Sequence, residues 1–395
     1  MREIIQLDII KELLTSYPDD APLHHFTKEF YRKHRQLGSR DRRFYSDTIY
    51  KYFRCKTLFS KLSFEEKLCY SGFITSTEPI NFHRFLLSII NCPLDLINSW
   101  ALSIDEKLSL LESAGIISWA SYFPGKSFVD RDLDMNTFLM SHLHQPAFYI
   151  RVSKSETATI AKILNEQAVK FTQSKNTFAF EAALDISKYL PEGSYEVQDL
   201  SSQATVALMN PAPGASVWDC CSGAGGKSMM LLDAHPNIQL FCSDKRNTIL
   251  ENLKVRLQHA GLKAAGVSEF DAVNKSGDLK FNQKIIPEGF FDMIIADVPC
   301  TGSGTWGRTP ERLYQFKEEE IKVYAALQKS IIRNIIPYLK PNGQLVYITC
   351  SVYATENTDQ LNEIEKLGFK IVSKQYFIGY DKQADTLFGA VLQKI

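Results

Sequence analysis

The sequence contains no apolar run approaching about 18 residues, the length at which a hydrophobic stretch becomes a candidate membrane-spanning helix. Its first residues, MREIIQLDIIKELL, are charged and amphipathic where a secretory leader carries an apolar segment. Both absences are read as a cytoplasmic protein with no membrane partner. No C-x-x-C pair occurs among the eight cysteines, which fall at 55, 69, 92, 220, 221, 242, 300 and 350 without regular spacing. Neither a metal site nor a disulfide framework is therefore expected. Charge of one sign is not in excess either, because 45 Lys and Arg stand against 45 Asp and Glu. Any argument for a polyanionic partner must then be local. What is present is a chain of 395 residues with 45% hydrophobic content, enough for two or three domains with their own cores.

The local argument lies near the N-terminus. Between Lys28 and Lys56 ten basic residues, Arg40, Arg42 and Arg43 among them, face three acidic ones, a net of +7. Aromatics are interleaved (Phe26, Phe30, Tyr31, Phe44, Tyr45, Tyr50, Tyr52, Phe53). Charge for phosphates with rings for stacking describes an RNA-facing surface. A helical core of rings with a solvated charged face describes the same pattern equally well. Up to about Ala120 the chain reads as all-helical, with breaks at Pro18, Gly38-Ser39 and Pro79. We place a helical domain over residues 1–125.

A small α/β unit is expected over 126–200, with strands Ala147–Val152 and Thr177–Ala182 around a helix Glu156–Gln167. From 201 to 395 strands and helices alternate. Val217–Asp219 enters the glycine-rich turn Cys221–Gly226. Gln239–Ser243 leads to Asp244, Val267–Phe270 to Asp271, Met293–Asp297 to Pro299-Cys300, and Gln344–Thr349 to Cys350. Helices are expected at Lys227–Ala234, Asn247–Ala260 and Ile321–Tyr338, and an antiparallel pair, Lys370–Phe377 with Leu387–Gln393, closes the sheet. This order predicts an α/β fold with a doubly wound, mostly parallel sheet, in which ligands bind beyond the carboxyl ends of the strands.

The glycine turn Gly223-Ala224-Gly225-Gly226-Lys227-Ser228 fails a dinucleotide motif at Ser228 and a phosphate-loop motif at Cys221. A tight turn against a helix N-terminus remains, followed by an acid, Asp244, at the next strand end. That layout suits S-adenosylmethionine, with Asp244 on the ribose hydroxyls and Asp271 near the adenine amino group. Asp244 as a helix N-cap is the competing reading.

The series VQDLSS (197–202), VWDCCSGAGGKS (217–228), ADVPCTGSGT (296–305) and LKPNGQLVYITCS (339–351) resembles the RNA (cytosine-5)-methyltransferases of the RsmB/Nop2 type, over about residues 126–395. Glu356-Asn357 resembles that family's E-N pair, and Asp385 with 388–392 its closing strand. Ala224, Val298 and Ser153 depart from the family's usual Pro, Ala and Asn. Upstream, 37–43 (LGSRDRR) resembles the NusB-like helical RNA-binding domain of the bacterial ribosomal RNA branch.

The resemblance implies transfer of a methyl group from S-adenosylmethionine to C5 of a cytosine in RNA. Cys350 would attack C6, Asp297, protonated or sharing a proton, would stabilise charge toward N3, and Cys300 would assist release of the adduct. Each cysteine alone could be an inert buried thiol, and Lys227 could neutralise site charge or be a solvated lysine. Cofactor contacts are assigned to Cys220, Ser222, Gly223, Ala224, Gly225, Gly226, Lys227, Asp244, Asp271 and Asp297, and RNA contacts to Arg40, Arg42, Arg43 and Arg151. The target base should be single-stranded or extruded. Small-subunit (16S) ribosomal RNA is the expected substrate and the protein is expected to be a monomer. A tRNA methyltransferase, an amino-group methyltransferase and a non-catalytic assembly factor are the alternatives.

Overall fold

The computed structural model describes every residue except 1, 19, 60, 93–95, 120, 121, 182, 183, 275 and 276, together with the side chain of 97. Met1, Ala120 and Ala182, which begin or end expected segments, lie outside the described residues. Two compact units result: residues 1–127 with 135–145 and 306–318, and residues 128–134, 146–305 and 319–395.

The first unit is helical. Its longer helices are Arg2–Thr15, Leu23–Lys33, Ser39–Cys55, Phe64–Thr75, Asn81–Ile89 and Ile104–Ser113. Ser63 caps one of them reciprocally, accepting from the Glu66 N–H at 3.2 Å while Glu66 accepts from the Ser63 N–H at 2.7 Å. Leu7, Ile10, Leu13, Phe30, Tyr31, Tyr45, Ile49, Tyr52 and Phe53 form its core. Arg54 is buried and donates to the carbonyls of His142 (3.2 Å) and Gly307 (2.6 Å), while the Leu23 N–H donates to Glu311 at 3.1 Å. These bonds fasten 135–145 and 306–318 to the helices. The second of those segments lies inside the stretch that the sequence assigns to the α/β domain.

The second unit holds a small antiparallel sheet in the order β2-β3-β1-β4, made of β1 (Phe148–Arg151), β2 (Thr172–Ser174), β3 (Thr177–Phe180) and β4 (Glu196–Val197). The expected helix spans Thr157–Glu166. The large sheet contains β5 (Ser216–Asp219), β6 (Gln239–Asp244), β7 (Gly266–Glu269), β10 (Phe291–Asp297), β11 (Leu339–Thr349), β12 (Phe369–Phe377) and β13 (Leu387–Lys394); β8 (Lys280–Phe281) and β9 (Lys284–Ile285) form a separate hairpin. Its order is β12-β13-β11-β10-β5-β6-β7, with the β11-to-β7 part parallel and β13 and β12 antiparallel. The expected mostly parallel, doubly wound sheet is therefore the observed one.

Both faces of this sheet are covered. Val217, Met293, Ile295, Val346 and Ile348 pack on one side, and Trp218, Ile294, Ala296, Leu345 and Tyr347 on the other. Two-sided burial is why the central strand reads as an unbroken apolar run rather than an alternation. The chain runs outward from β5 through β6 to β7, then returns to place β10 on the other flank of β5. The order of strands reverses between β5 and β10, and the crevice at their carboxyl ends is where such sheets bind ligands.

Candidate active site

The turn after β5 is shaped by two residues with left-handed backbone, Gly223 (φ 52°) and Gly225 (φ 83°). A Cβ on Gly225 would lie 2.1 Å from Leu253 Cδ1, so the packing of the turn on its neighbouring helix also requires glycine there. The helix Gly226–Ala234 starts at once, directing its first N–H groups toward the crevice. Lys227, in its first turn, reaches across the switch point to Asp297 at the end of β10, with Nζ 2.6 Å from Oδ2. Burial alone would lower the Lys227 pKa, but the Asp297 carboxylate, assisted by Cys350 and Asp219, raises it on balance. Asp297, expected to bear or share a proton, thus stands 2.6 Å from a lysine nitrogen. The solvated-lysine reading is overturned, because only 13% of the Lys227 side chain is exposed.

Beyond β10 and β11 the two thiols converge. Cys300 Sγ lies 3.2 Å from Cys350 Sγ, and both residues are half-buried. Cys350, as neighbour, and burial together push the Cys300 thiol well up, and either sulfur can be the donor of the bond between them. The surrounding backbone is fixed: the Gly304 N–H donates to the Cys350 carbonyl at 2.9 Å and the Val298 N–H to the Ile348 carbonyl at 3.1 Å.

Asp244, at the end of β6, is a carboxylate with four donors. Oδ1 accepts from the Arg246 N–H and Nε, each at 3.0 Å, and Oδ2 accepts from the Gly223 N–H at 3.1 Å and Arg246 Nη2 at 3.2 Å. Burial opposes its charge, but these bonds hold its pKa below the usual carboxylate range. Asp271 differs from expectation. β7 ends at Glu269, and the Asp271 carboxylate turns onto its own loop, accepting from the Val273 N–H (2.9 Å) and Asn274 Nδ2 (2.7 Å). In this geometry it serves that turn.

Cys220 and Ser222 flank the turn without offering their side chains to the crevice. The Cys220 side chain belongs to the core, and the Ser222 hydroxyl is bound to the Ser243 carbonyl at 3.2 Å. They can contribute through their backbone, as can Ala224 and Gly226. Arg151, expected to meet RNA, is buried: Nε donates to Gln198 at 3.0 Å and Nη1 pairs with Asp233 at 3.3 Å. That assignment is corrected to a structural one, since burying a guanidinium requires partners of this kind. Arg40 and Arg43 are exposed, whereas Arg42 Nε caps the Leu37 carbonyl at 2.8 Å. Phe30, Tyr31, Tyr45, Tyr52 and Phe53 are core rings, while Phe26, Phe44 and Tyr50 are half-buried against the same core.

Two carboxylates that the sequence reading leaves without a role lie at the site. Asp219, at the end of β5, is fully buried and accepts from Ser228 Oγ at 2.5 Å; burial pushes its pKa up to about 7. Its position immediately before the glycine turn is the signal that could have found it. Glu356, buried beneath the thiols, has no signal in spacing alone.

A Rossmann-like sheet with a glycine turn at its switch point and two cysteines past the neighbouring strands defines a methyltransferase-fold protein. Comparison with solved structures agrees on the fold: PH0851 superposes with a TM-score of 0.69 at 19% identity over 94% of this chain and 95% of that one. NSun6 from Pyrococcus horikoshii, solved with SFG, does so with 0.57 at 16% over 70% and 99%. Residues 206–374 match the family described as 16S rRNA methyltransferase RsmB/F, so the resemblance read from the motifs holds over that segment. Ribosomal RNA small subunit methyltransferase B of Pasteurella multocida is 28% identical over 64% of this chain and 60% of that protein. Its namesake from Salmonella arizonae is 34% identical over 43% and 38%. The chain thus spans from over a third to three fifths of the length of these curated relatives.

Proposed function

We propose that this chain transfers a methyl group from S-adenosylmethionine to C5 of a cytosine in RNA, with small-subunit (16S) ribosomal RNA as substrate, acting as a cytoplasmic monomer. The observation that carries the reading is the 3.2 Å approach of Cys300 and Cys350 beside the Lys227–Asp297 pair. The RsmB/F match of 206–374 and the names of the relatives support the reaction class and the choice of RNA.

The cofactor fits the residues present. Gly223 and Gly225 keep the turn free of side chains, the start of the Gly226–Ala234 helix offers N–H groups, and Asp244 is an ionised acid at the neighbouring strand end. All four acceptor directions of Asp244 are filled, two of them by the guanidinium of Arg246, whose side chain is 57% exposed. Release of that guanidinium to solvent opens two directions for ribose hydroxyls. S-adenosylmethionine, when bound, supplies an electrophilic methyl group.

The protein makes the cytosine ring reactive. Cys350 gives its S–H proton to solvent and adds as the thiolate to C6, which opens the C5–C6 double bond and moves electron density to C5 and toward N3. Lys227, clamped on Asp297, supplies fixed positive charge there without needing to reorganise. Once C5 is methylated its proton leaves to solvent, the C5–C6 double bond re-forms, and the sulfur–C6 bond breaks with its electron pair on Cys350. The neighbouring Cys300 S–H stabilises that departing thiolate, which is how it assists release. On the helical unit, exposed Arg40 and Arg43 hold RNA phosphates.

Methyl incorporation into ribosomal RNA and tRNA transcripts, followed by bisulfite sequencing, tests the reading. One methylated cytosine in small-subunit ribosomal RNA is expected. Cofactor binding without incorporation into any RNA would sink it in favour of a non-catalytic RNA-binding role.

A further inference from the structure

Beneath the thiols one carboxylate holds the neighbours of both. Glu356 is fully buried, and every side-chain bond it makes is accepted from a residue on, or packed against, the two cysteine loops. Oε2 accepts from the Thr301 N–H at 2.9 Å and from Gln328 Nε2 at 3.2 Å; Oε1 accepts from Thr301 Oγ1 at 2.6 Å and Ser351 Oγ at 2.9 Å. Thr301 follows Cys300 directly and Ser351 follows Cys350. Gln328 also donates to the carbonyl of Pro299, the residue before Cys300, at 3.0 Å. The backbone of Glu356 is itself anchored, because Tyr347 OH donates to its carbonyl at 2.6 Å.

We propose that Glu356 is a positioning residue that sets the separation of the two thiols, and thereby couples formation of the Cys350 adduct to its release. This rests on the thiol roles given under Proposed function. The physical reason is the shape of the contact. A planar carboxylate offers about four acceptor directions in one rigid unit, so donors from two loops bound to it cannot drift independently. The bonds differ by loop. Thr301 reports on Cys300 and Ser351 on Cys350, so cutting one should disturb one thiol before the other.

The test uses the full-length protein with three single variants, Glu356→Gln, Thr301→Val and Ser351→Ala, and two independent readouts. The first is disulfide formation between Cys300 and Cys350 by a diazene oxidant such as diamide. The two thiols give up two electrons and two protons, which reduce the diazene to the hydrazine, and the linked peptides are counted by mass spectrometry. This readout needs neither RNA nor cofactor. In the native protein the sulfurs have only to close from 3.2 Å to the bonded distance of about 2.05 Å. Glu356→Gln retains one acceptor and can satisfy its new N–H on the two hydroxyls, so crosslinking should slow by no more than about threefold. Thr301→Val and Ser351→Ala should each slow it by about tenfold or more, the change expected for losing a hydrogen bond to a charged group.

The second readout is the denaturant-resistant RNA adduct in the presence of S-adenosylmethionine. Thr301→Val should accumulate it and Ser351→Ala should form it slowly, with substrate KM little changed in both. Native crosslinking rates in Thr301→Val and Ser351→Ala, or equal loss of turnover with no difference in adduct level, would overturn the proposal and leave Glu356 a structural residue. If the native protein forms no RNA adduct while crosslinking still follows the expected order, the methyltransferase reading fails and the positioning role stands.

Discussion

Cys300 and Cys350 lie fifty residues apart in the chain and 3.2 Å apart at sulfur, each just past the end of one of two adjacent parallel strands. The two sulfurs are within hydrogen-bond reach of one another, with either as donor. Substitution should therefore separate their roles. Cys350→Ala should bind RNA and cofactor yet form no covalent species. Cys300→Ala should attack and transfer methyl, then stall with an adduct that survives denaturing electrophoresis. The opposite pattern would exchange the roles, and full activity in both variants would remove covalent catalysis.

Around Asp244 two substitutions should act in opposite directions. Asp244→Ala removes the carboxylate and should weaken S-adenosylmethionine binding by roughly 1.5 to 3 kcal/mol, as for other hydrogen bonds to charged groups. Arg246→Ala removes only the exposed competitor and should leave affinity equal or improved. Titration calorimetry decides both, and weaker binding by Arg246→Ala would contradict the release of its guanidinium.

On the helical unit, Arg40→Ala with Arg43→Ala should weaken RNA binding and flatten its dependence on log salt by a little under one unit for each lost phosphate contact. Arg151→Ala should leave that slope alone. Its cost should appear in stability, below the roughly 3 to 5 kcal/mol for stripping a fully buried ion pair of one partner, because the Asp233 side chain left behind is 24% exposed. A changed salt slope in Arg151→Ala would return it to the RNA surface.

Acid should act on the helical unit through two buried histidines. Burial pushes both His83, stacked on Trp100 at 4.8 Å, and His142 down to about 4. Because the folded pKa lies below the unfolded value near 6.5, their contribution is complete above that pH. It is lost as pH falls toward 4, at roughly 3 kcal/mol each. Denaturant unfolding between pH 7 and 4 should show the decline, and His83→Leu should reduce it. A pH-independent midpoint over this range would show that neither ring is buried neutral.

Much of the sheet could be read directly because its strands are covered on both sides, which turns burial into plain apolar runs such as 293–296. Other features depended on distant partners. β11 begins at Leu339 rather than Gln344: Leu339 pairs with Phe291 and Gln344 with Met293, so Lys340–Gly343 bulges out where the sequence signals a turn. Asn342 takes a left-handed φ of 60° within that bulge. Segment 306–318 gives no local sign that its Glu311 caps a helix start 288 residues earlier. Arg151 looks like a surface cation until Gln198 and Asp233 are folded against it. Asp244 and Asp271 look alike in sequence and both accept from the N–H two residues on, but β6 runs up to Asp244 whereas β7 stops at Glu269, two residues short of Asp271.

Gly304 draws these distances into one order of events. Its N–H donates to the Cys350 carbonyl and its carbonyl accepts from the Thr386 N–H, each at 2.9 Å, and a Cβ there would lie 1.9 Å from the Thr386 oxygen. The loop after the first thiol, the residue bearing the second and the approach to β13 thus meet at a point with no room for a side chain. A ribosome delivers them in sequence, so the nascent chain carries Cys300 and then Cys350 well before Thr386 emerges to close the knot. In any nascent chain that ends before Thr386 the two cysteine loops therefore lack this fastening to the approach of β13.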